Sequence, residues 1–226
     1  NPNQLLINDA NLSEIESLRM LLEGSHADQF GSTFDLCVGL QLTHSGRFSR
    51  PNDKRTLEPR TAYRPPVLDP RFDVHNETAQ LTDDDLKRLI DDFVAACVLV
   101  RKAGYRWVDV KHCHGYLGHE LLSGFDRNGA FGGSFENRTR FLRDIVAGIR
   151  AEAPGLEVGV RLSAFDFTPF EPGDGEKSIG VPCARAPYRH AFGGDGTGQG
   201  IDYDEPSKFL SLVEQLNIDL VCVSCG

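Results

Sequence analysis

Three short stretches alternate between aliphatic and other residues, and this alternation restricts the fold more than any other feature of the chain. In the first, Leu36, Val38, Leu40 and Leu42 share one face and leave Cys37, Gly39 and Gln41 on the other. In the second, Val108 and Val110 oppose Trp107, Asp109 and Lys111; in the third, Val158, Val160 and Leu162 oppose Glu157, Gly159 and Arg161. Successive side chains of a strand point to opposite faces. Each stretch therefore offers an aliphatic face for a helix to cover, and a mixed face ending in a polar residue: Gln41, Lys111 or Arg161. The expected strands are "DLCVGLQL" from Asp35, "RWVDVK" from Arg106 and "LEVGVRLS" from Leu156, with a fourth, "DLVCVS", from Asp219.

Helical signals separate them. Ser13 with Glu16 reads as a cap before Ile15, Leu18, Leu21 and Leu22, and Thr82 with Asp85 opens a helix reaching about Ala103 and closed by Gly104. A third helix starts at Ser134, carries Phe141, Leu142, Ile145, Val146 and Ile149, and stops before Pro154. A fourth follows Pro206 with Phe209, Leu210, Leu212 and Val213. Strands alternating with helices predict an α/β fold with a parallel sheet. An open doubly wound sheet is apolar on both faces, which these strands are not. A (β/α)8 TIM barrel fits better, because its inner face leads to a site at the C-terminal ends of the strands, where Gln41, Lys111 and Arg161 would converge.

Composition excludes several functions. A net charge of −9 over 226 residues, without a Lys/Arg cluster, predicts no nucleic-acid partner and favours a small-molecule substrate. Six cysteines are too sparse for a disulfide scaffold, and no apolar run resembles a signal peptide or a membrane span. The expected setting is cytoplasmic, which makes the sequons at Asn11, Asn76 and Asn137 chance matches. "FGGDGTGQG" lacks the strand and helix that flank a phosphate loop and reads as an ordinary loop.

Four motifs in order, "GLQLTHSGR", "GYRWVDVKHCHGYLGHELLS", "GGSFENRTRFL" and "VGVRLSAFD", resemble the central strands of the Old Yellow Enzyme family, FMN-dependent NAD(P)H oxidoreductases built on a (β/α)8 barrel. The resemblance implies FMN as cofactor, NADH or NADPH as reductant, and an activated alkene or related small molecule as substrate. It implies that Gln41 hydrogen-bonds the flavin ring and that Arg161 lies at the ring edge where reduction builds negative charge. It further implies that His114 holds the substrate carbonyl oxygen and that Tyr116 protonates the neighbouring carbon. Where most of the family has His, three residues before His114, this chain has Lys111. A flexible point charge in place of a directional imidazole suggests a site suited to an anionic or oxyanionic substrate.

Other readings of these residues stand beside these. Arg161 could pair with Glu157 or Asp109 inside a barrel, and Tyr116 could be a rim aromatic packed on the next helix. His112 falls with Val108 and Val110 on the helix side, where a hydrogen-bonded structural histidine is expected, with Cys113 also in packing. "HCH" could instead be the metal pair of a barrel hydrolase, but two ligands do not make a site, and no metal is expected. Lys111 and His114 are three apart, so they share a face only if the strand ends or kinks by Cys113. Cys222 and Cys225 form an isolated CxxC; Arg138 reads as an ion-pair residue, and Asp83 to Asp85 as a helix start.

Residues 1–226 read as a single barrel-type domain in which only the family's third to sixth strands are visible, with residues 165–203 as a long loop on the catalytic face. A chain opening on "NPNQLL" and stopping at "LVCVSCG" reads as a piece of something longer, expected to hold FMN weakly or not at all. The remaining alternative is a non-catalytic fragment, or a homo-oligomer that completes its barrel with a second chain.

Overall fold

The three alternating stretches and the fourth become one parallel sheet in a computed structural model that describes residues 2–75, 77–173, 179–183 and 187–224. Its strands are β1 (Gly39–Leu42), β2 (Trp107–His112), β3 (Glu157–Leu162) and β6 (Leu220–Val223), ordered β1-β2-β3-β6. Register places Gln41 opposite Asp109, Lys111 opposite Arg161, and Arg161 opposite Cys222. The chain is thus α/β with four sequentially added parallel strands, and a closed barrel is not formed among the described residues. β1 is shorter than expected, since Asp35 to Val38 are not in the strand.

Aliphatic faces behave as the alternation requires. Val108, Val110, Val158, Val160 and Leu162 are fully buried. They meet Leu86, Ile90, Phe93, Cys97 and Val100 of α2 (Asp83–Lys102) and Phe141, Leu142, Ile145, Val146 and Ile149 of α5 (Arg140–Glu152) in one core. Phe209 and Val213 of α6 (Asp204–Gln215) join them. Burying each such side chain contributes about 1.5–3 kcal/mol. The Thr82 capping box is present, with the Thr82 side chain accepting from Asp85 N and Asp85 accepting from Thr82 N.

Two helices differ from expectation. α1 (Leu12–Phe30) is preceded by a 3-10 turn capped by Asn8, rather than opened by Ser13 with Glu16. It docks through its N-terminal part, where Tyr105 donates to Ile15 O (2.8 Å) and Arg19 to Ala103 O (2.8 Å), so Ile15 is buried while Leu18, Leu21 and Leu22 stay exposed. The helix expected from Ser134 is two: α4 (Phe135–Arg138), capped by Ser134, and α5. The break is Thr139, whose hydroxyl donates back to Phe135 O (2.9 Å), a local bond that competes with helix continuation.

On the polar face of the sheet, Trp107 spreads over its neighbours. A Cβ at Gly39 would collide with the indole, and one at Gly159 would lie 2.9 Å from its Cζ3. Two strands therefore need glycine to accommodate one ring.

The segment 165–203 carries a small antiparallel pair, β4 (Phe170–Pro172) and β5 (Gly180–Pro182), which its sequence did not announce. It is tied down by backbone bonds from Asp166 N to Phe192 O (2.9 Å) and Thr168 N to Gly198 O (2.8 Å), and Phe192 is fully buried. Cys225 of the CxxC and Asn76 of one sequon lie outside the described residues. Among the described residues no helix is long and apolar enough to cross a membrane.

Candidate active site

The site is created by the end of β2. The strand stops at His112, and His114 adopts a left-handed backbone with φ 60°, followed by Gly115 at φ 67°. A non-glycine residue there costs energy unless its surroundings hold it. His114 N donates to Ser163 Oγ (3.1 Å), and Gly115 N donates to His119 Nδ1 (2.9 Å). The chain then enters α3 (Leu117–Leu122) with Tyr116 as its N-cap residue. This turn removes the opposition of faces that a regular strand would impose on positions 111 and 114.

The predicted residues come together around it. Lys111 Nζ sits 3.3 Å from the centroid of the Tyr116 ring, whose other neighbour is Phe48 at 5.4 Å. His114 Nε2 lies 2.6 Å from Ser224 Oγ, and Arg161 Nη2 donates to the same oxygen at 3.1 Å. Ser224, just past β6, thus links two strands. Arg161 forms no ion pair with Glu157 or Asp109, and among the described residues its buried Nε has no hydrogen-bond partner. Gln41 stands one layer lower, donating from Nε2 to Asp109 Oδ2 at 2.5 Å.

Charge is concentrated here. Burial lowers the Lys111 pKa, with Cys113 and Asp109 opposing and Arg161 assisting. Burial likewise lowers that of His114, reinforced by Lys111 and Arg161, so its imidazole is neutral near pH 7. Asp109 is raised by burial against the pull of Gln41, Arg161 and Lys111.

His112 points away from this group. It is 1 % exposed, lies between the rings of Phe141 and Phe209 at 6.4 and 6.3 Å, and is pushed down to about 4 by burial. It is a packed histidine, and the pairing of His112 with His114 that a metal hydrolase requires is not made. No group of three or more His, Cys, Asp or Glu among the described residues is placed to hold a metal. Cys113 is fully buried and raised chiefly by burial. Arg138 is an ion-pair residue, bonded to Glu205.

A cavity of about 670 Å3 opens beside the turn, bounded by His114, Ser163 and Ser224 and roofed by Phe165, Asp166 and Tyr188 of the 165–203 segment. Of the five predicted site residues His114 alone lines it; Gln41 opens on a different cavity of about 760 Å3 beside β1. The opposite wall is set by a buried network that the sequence did not disclose. Arg47 donates to Glu120 Oε1 (3.0 Å from Nε), to Asp69 Oδ1 (2.7 Å) and to Tyr63 O (3.1 Å), while Glu120 Oε2 accepts from Ala62 N (3.1 Å). It clamps the loop carrying Tyr63 onto α3. Ser163, two residues beyond Arg161 on the same strand face, was the one addition that alternation could have supplied.

Residues 1–180 match the NADH:flavin oxidoreductase / NADH oxidase family. Over 134 residues the chain is 35% identical to an NADPH dehydrogenase of Bacillus velezensis, covering 58% of this chain and 37% of that protein. Over 161 residues it is 32% identical to 12-oxophytodienoate reductase 1 of Oryza sativa subsp. japonica, covering 68% of this chain and 40% of that one. The chain therefore spans less than half the length of either relative. Among solved structures, the old yellow enzyme homologue of Zymomonas mobilis superposes with a TM-score of 0.60 at 21% identity, over 95% of this chain and 52% of that one. A 2-naphthoyl-CoA reductase superposes with a TM-score of 0.65 at 19% identity, over 98% and 30%. At such identities these two establish likeness of fold.

Proposed function

The chain belongs to the NADH:flavin oxidoreductase / NADH oxidase family, and on that premise we propose that the protein is an FMN-dependent oxidoreductase that uses NADH or NADPH to reduce an activated alkene or related small molecule. The observation that carries this is the meeting of Lys111, Arg161 and His114 at the C-terminal ends of adjacent parallel strands, where barrel enzymes build their sites. We read residues 1–226 as one barrel-type domain, 165–203 as its catalytic-face loop, and its setting as cytoplasmic.

The residues fit the cofactor. Arg161 Nε on β3 and Thr43 Oγ1 just past β1, with β2 between those strands, are buried without hydrogen-bond partners among the described residues. Buried polar atoms are rarely left so, and a ring edge bearing carbonyl and ring nitrogen atoms would satisfy them. Arg161, Lys111 and Gln41 would hold it, two as cations and one as an amide. FMN when bound supplies a carrier that takes hydride from a nicotinamide and gives it to a polarised double bond.

The side chains do the remainder. His114, neutral, donates from a ring nitrogen to the substrate carbonyl oxygen. The Lys111 ammonium stabilises negative charge that accumulates on that oxygen. Tyr116 delivers the Oη proton to the adjacent carbon. Phe165 and its loop exclude water from the cavity. The test is anaerobic addition of NADPH to the FMN-loaded protein. Visible flavin absorbance should bleach and return on adding an activated alkene; absorbance that never bleaches refutes the reading.

A further inference from the structure

The ionisable groups on the wall of the 670 Å3 cavity are Arg47, Glu120, Asp166, His114, His119, Tyr63 and Tyr188. Arg47 is answered by Glu120 and Asp69, and Asp69 also by Arg64. The two histidines are lowered by burial and are neutral near pH 7, His119 at about 4. Asp166 remains. Its Oδ1 accepts only the adjacent Phe167 N (2.9 Å), and among the described residues it has no cationic partner. Its backbone is fixed by the bond from Asp166 N to Phe192 O (2.9 Å), so the carboxylate is presented from an anchored segment.

Aromatic rings share its cavity. Tyr63 and Tyr188 line the same cavity, and the charge of Asp166 helps push both phenols up. Each ring is held by His190, stacked on Tyr63 at 5.5 Å and edge-on to Tyr188 at 5.7 Å. Phe165, also on the wall, is braced by Tyr203 at 5.5 Å. A partly buried carboxylate among aromatic faces attracts a cation twice, by charge and by the ring quadrupoles.

We propose that Asp166, with the rings of Tyr63 and Tyr188, selects substrates whose non-reacting end carries a protonated amine. The inference deepens the proposed function and rests on its reading of this cavity as the substrate chamber. It divides the chamber by charge. The wall formed by His114 and by Ser224, which accepts from Arg161, suits the oxygen on which negative charge grows, and the loop side suits a positive group. Burial raises Asp166 to about 6, as expected for a carboxylate lacking the cation that would complete it.

Calorimetric titration without flavin tests it, using benzylammonium, benzyl alcohol and benzoate as probes of one size and three charges. Benzylammonium is expected to bind about tenfold more tightly than either other probe, and Asp166→Asn to abolish that preference while leaving benzyl alcohol within about twofold. Equal or tighter binding of benzoate, no measurable binding of any probe, or a preference that survives in a folded Asp166→Asn protein overturns the proposal. If Asp166→Asn does not fold, the wild-type ranking decides alone. Because no flavin is present, failure of the flavin reading would show in the bleaching experiment and not here.

Discussion

His114 Nε2 lies 2.6 Å from Ser224 Oγ, a contact between residues 110 apart in sequence that joins the turn after β2 to the end of β6. Since the same hydroxyl accepts from Arg161, Ser224 orients both the proposed carbonyl donor and the proposed flavin-edge cation. A net hydrogen bond is worth about 1 kcal/mol. Ser224→Ala should therefore lower kcat/KM of the FMN-loaded protein about fivefold with little change in stability, as read from steady-state kinetics and thermal melts.

Lys111 over Tyr116 predicts a split phenotype. Lys111→Met removes the charge and the cation–π contact, worth about 0.5–2 kcal/mol, and should weaken both affinity and rate, most for substrates that place most charge on oxygen. Tyr116→Phe keeps the ring and should lower kcat while leaving KM nearly unchanged. Unchanged kinetics in Lys111→Met would remove Lys111 from the site.

Trp107 supplies its own reporter, being the single tryptophan of the chain. Gly39→Ala pushes a methyl group into the indole, and overpacking of this kind costs about 1–3 kcal/mol. The expected result is a lower midpoint in urea together with a shifted tryptophan emission maximum in the folded state.

Glu120 predicts the largest loss of stability. Removing one partner of a buried ion pair costs about 3–5 kcal/mol, and Arg47 is 2 % exposed. Glu120→Gln should lower stability by about that amount. Asp84→Asn, which breaks an exposed pair with Lys87, should leave it nearly unchanged.

Acid sensitivity follows from His112 and His119, each held at about 4 in the fold against 6.5 unfolded. Between those values the unfolded state binds more protons, so stability rises with pH there and falls on acidification from about 6.5 toward 4. Asp166, at about 6 against 3.8, works in the opposite direction between 3.8 and 6 and offsets part of one histidine. Urea melts at pH 7 and pH 5 should show a net loss of a few kcal/mol at the lower pH. His112→Gln should reduce that loss.

Alternation made the sheet legible, because Val108, Val110, Val158 and Val160 have no other way to be buried together. The same rule exposed the need for a break near Cys113, which His114 supplies with its left-handed backbone. Local signals sufficed for Thr82, where cap and partner lie three residues apart. They misled at α1, where Asn8, Asn11 and Ser13 all offer capping oxygens and the reciprocal bonds between Asn8 and Asn11 open a 3-10 turn ahead of the helix. Long-range partners left no trace in the sequence. Nothing near Arg47 points to Glu120, which lies 73 residues away, and nothing in "LVCVSCG" marks Ser224 as the residue that His114 and Arg161 share. Segment 165–203 was readable as a long loop, but its β4–β5 pair is short and contains two prolines, which hides it from strand patterns.

The most direct test of the account is an FMN titration of the 226-residue chain followed by residue-resolved NMR. With four parallel strands and no closed barrel among the described residues, binding should be weak, and no flavin colour should survive desalting. Saturable shifts should nevertheless concentrate at Gln41, Lys111, Arg161 and Ser224 and be lost in Arg161→Ala. Shifts clustered elsewhere, or none up to the highest soluble FMN concentration, would contradict the placement of the flavin at these strand ends.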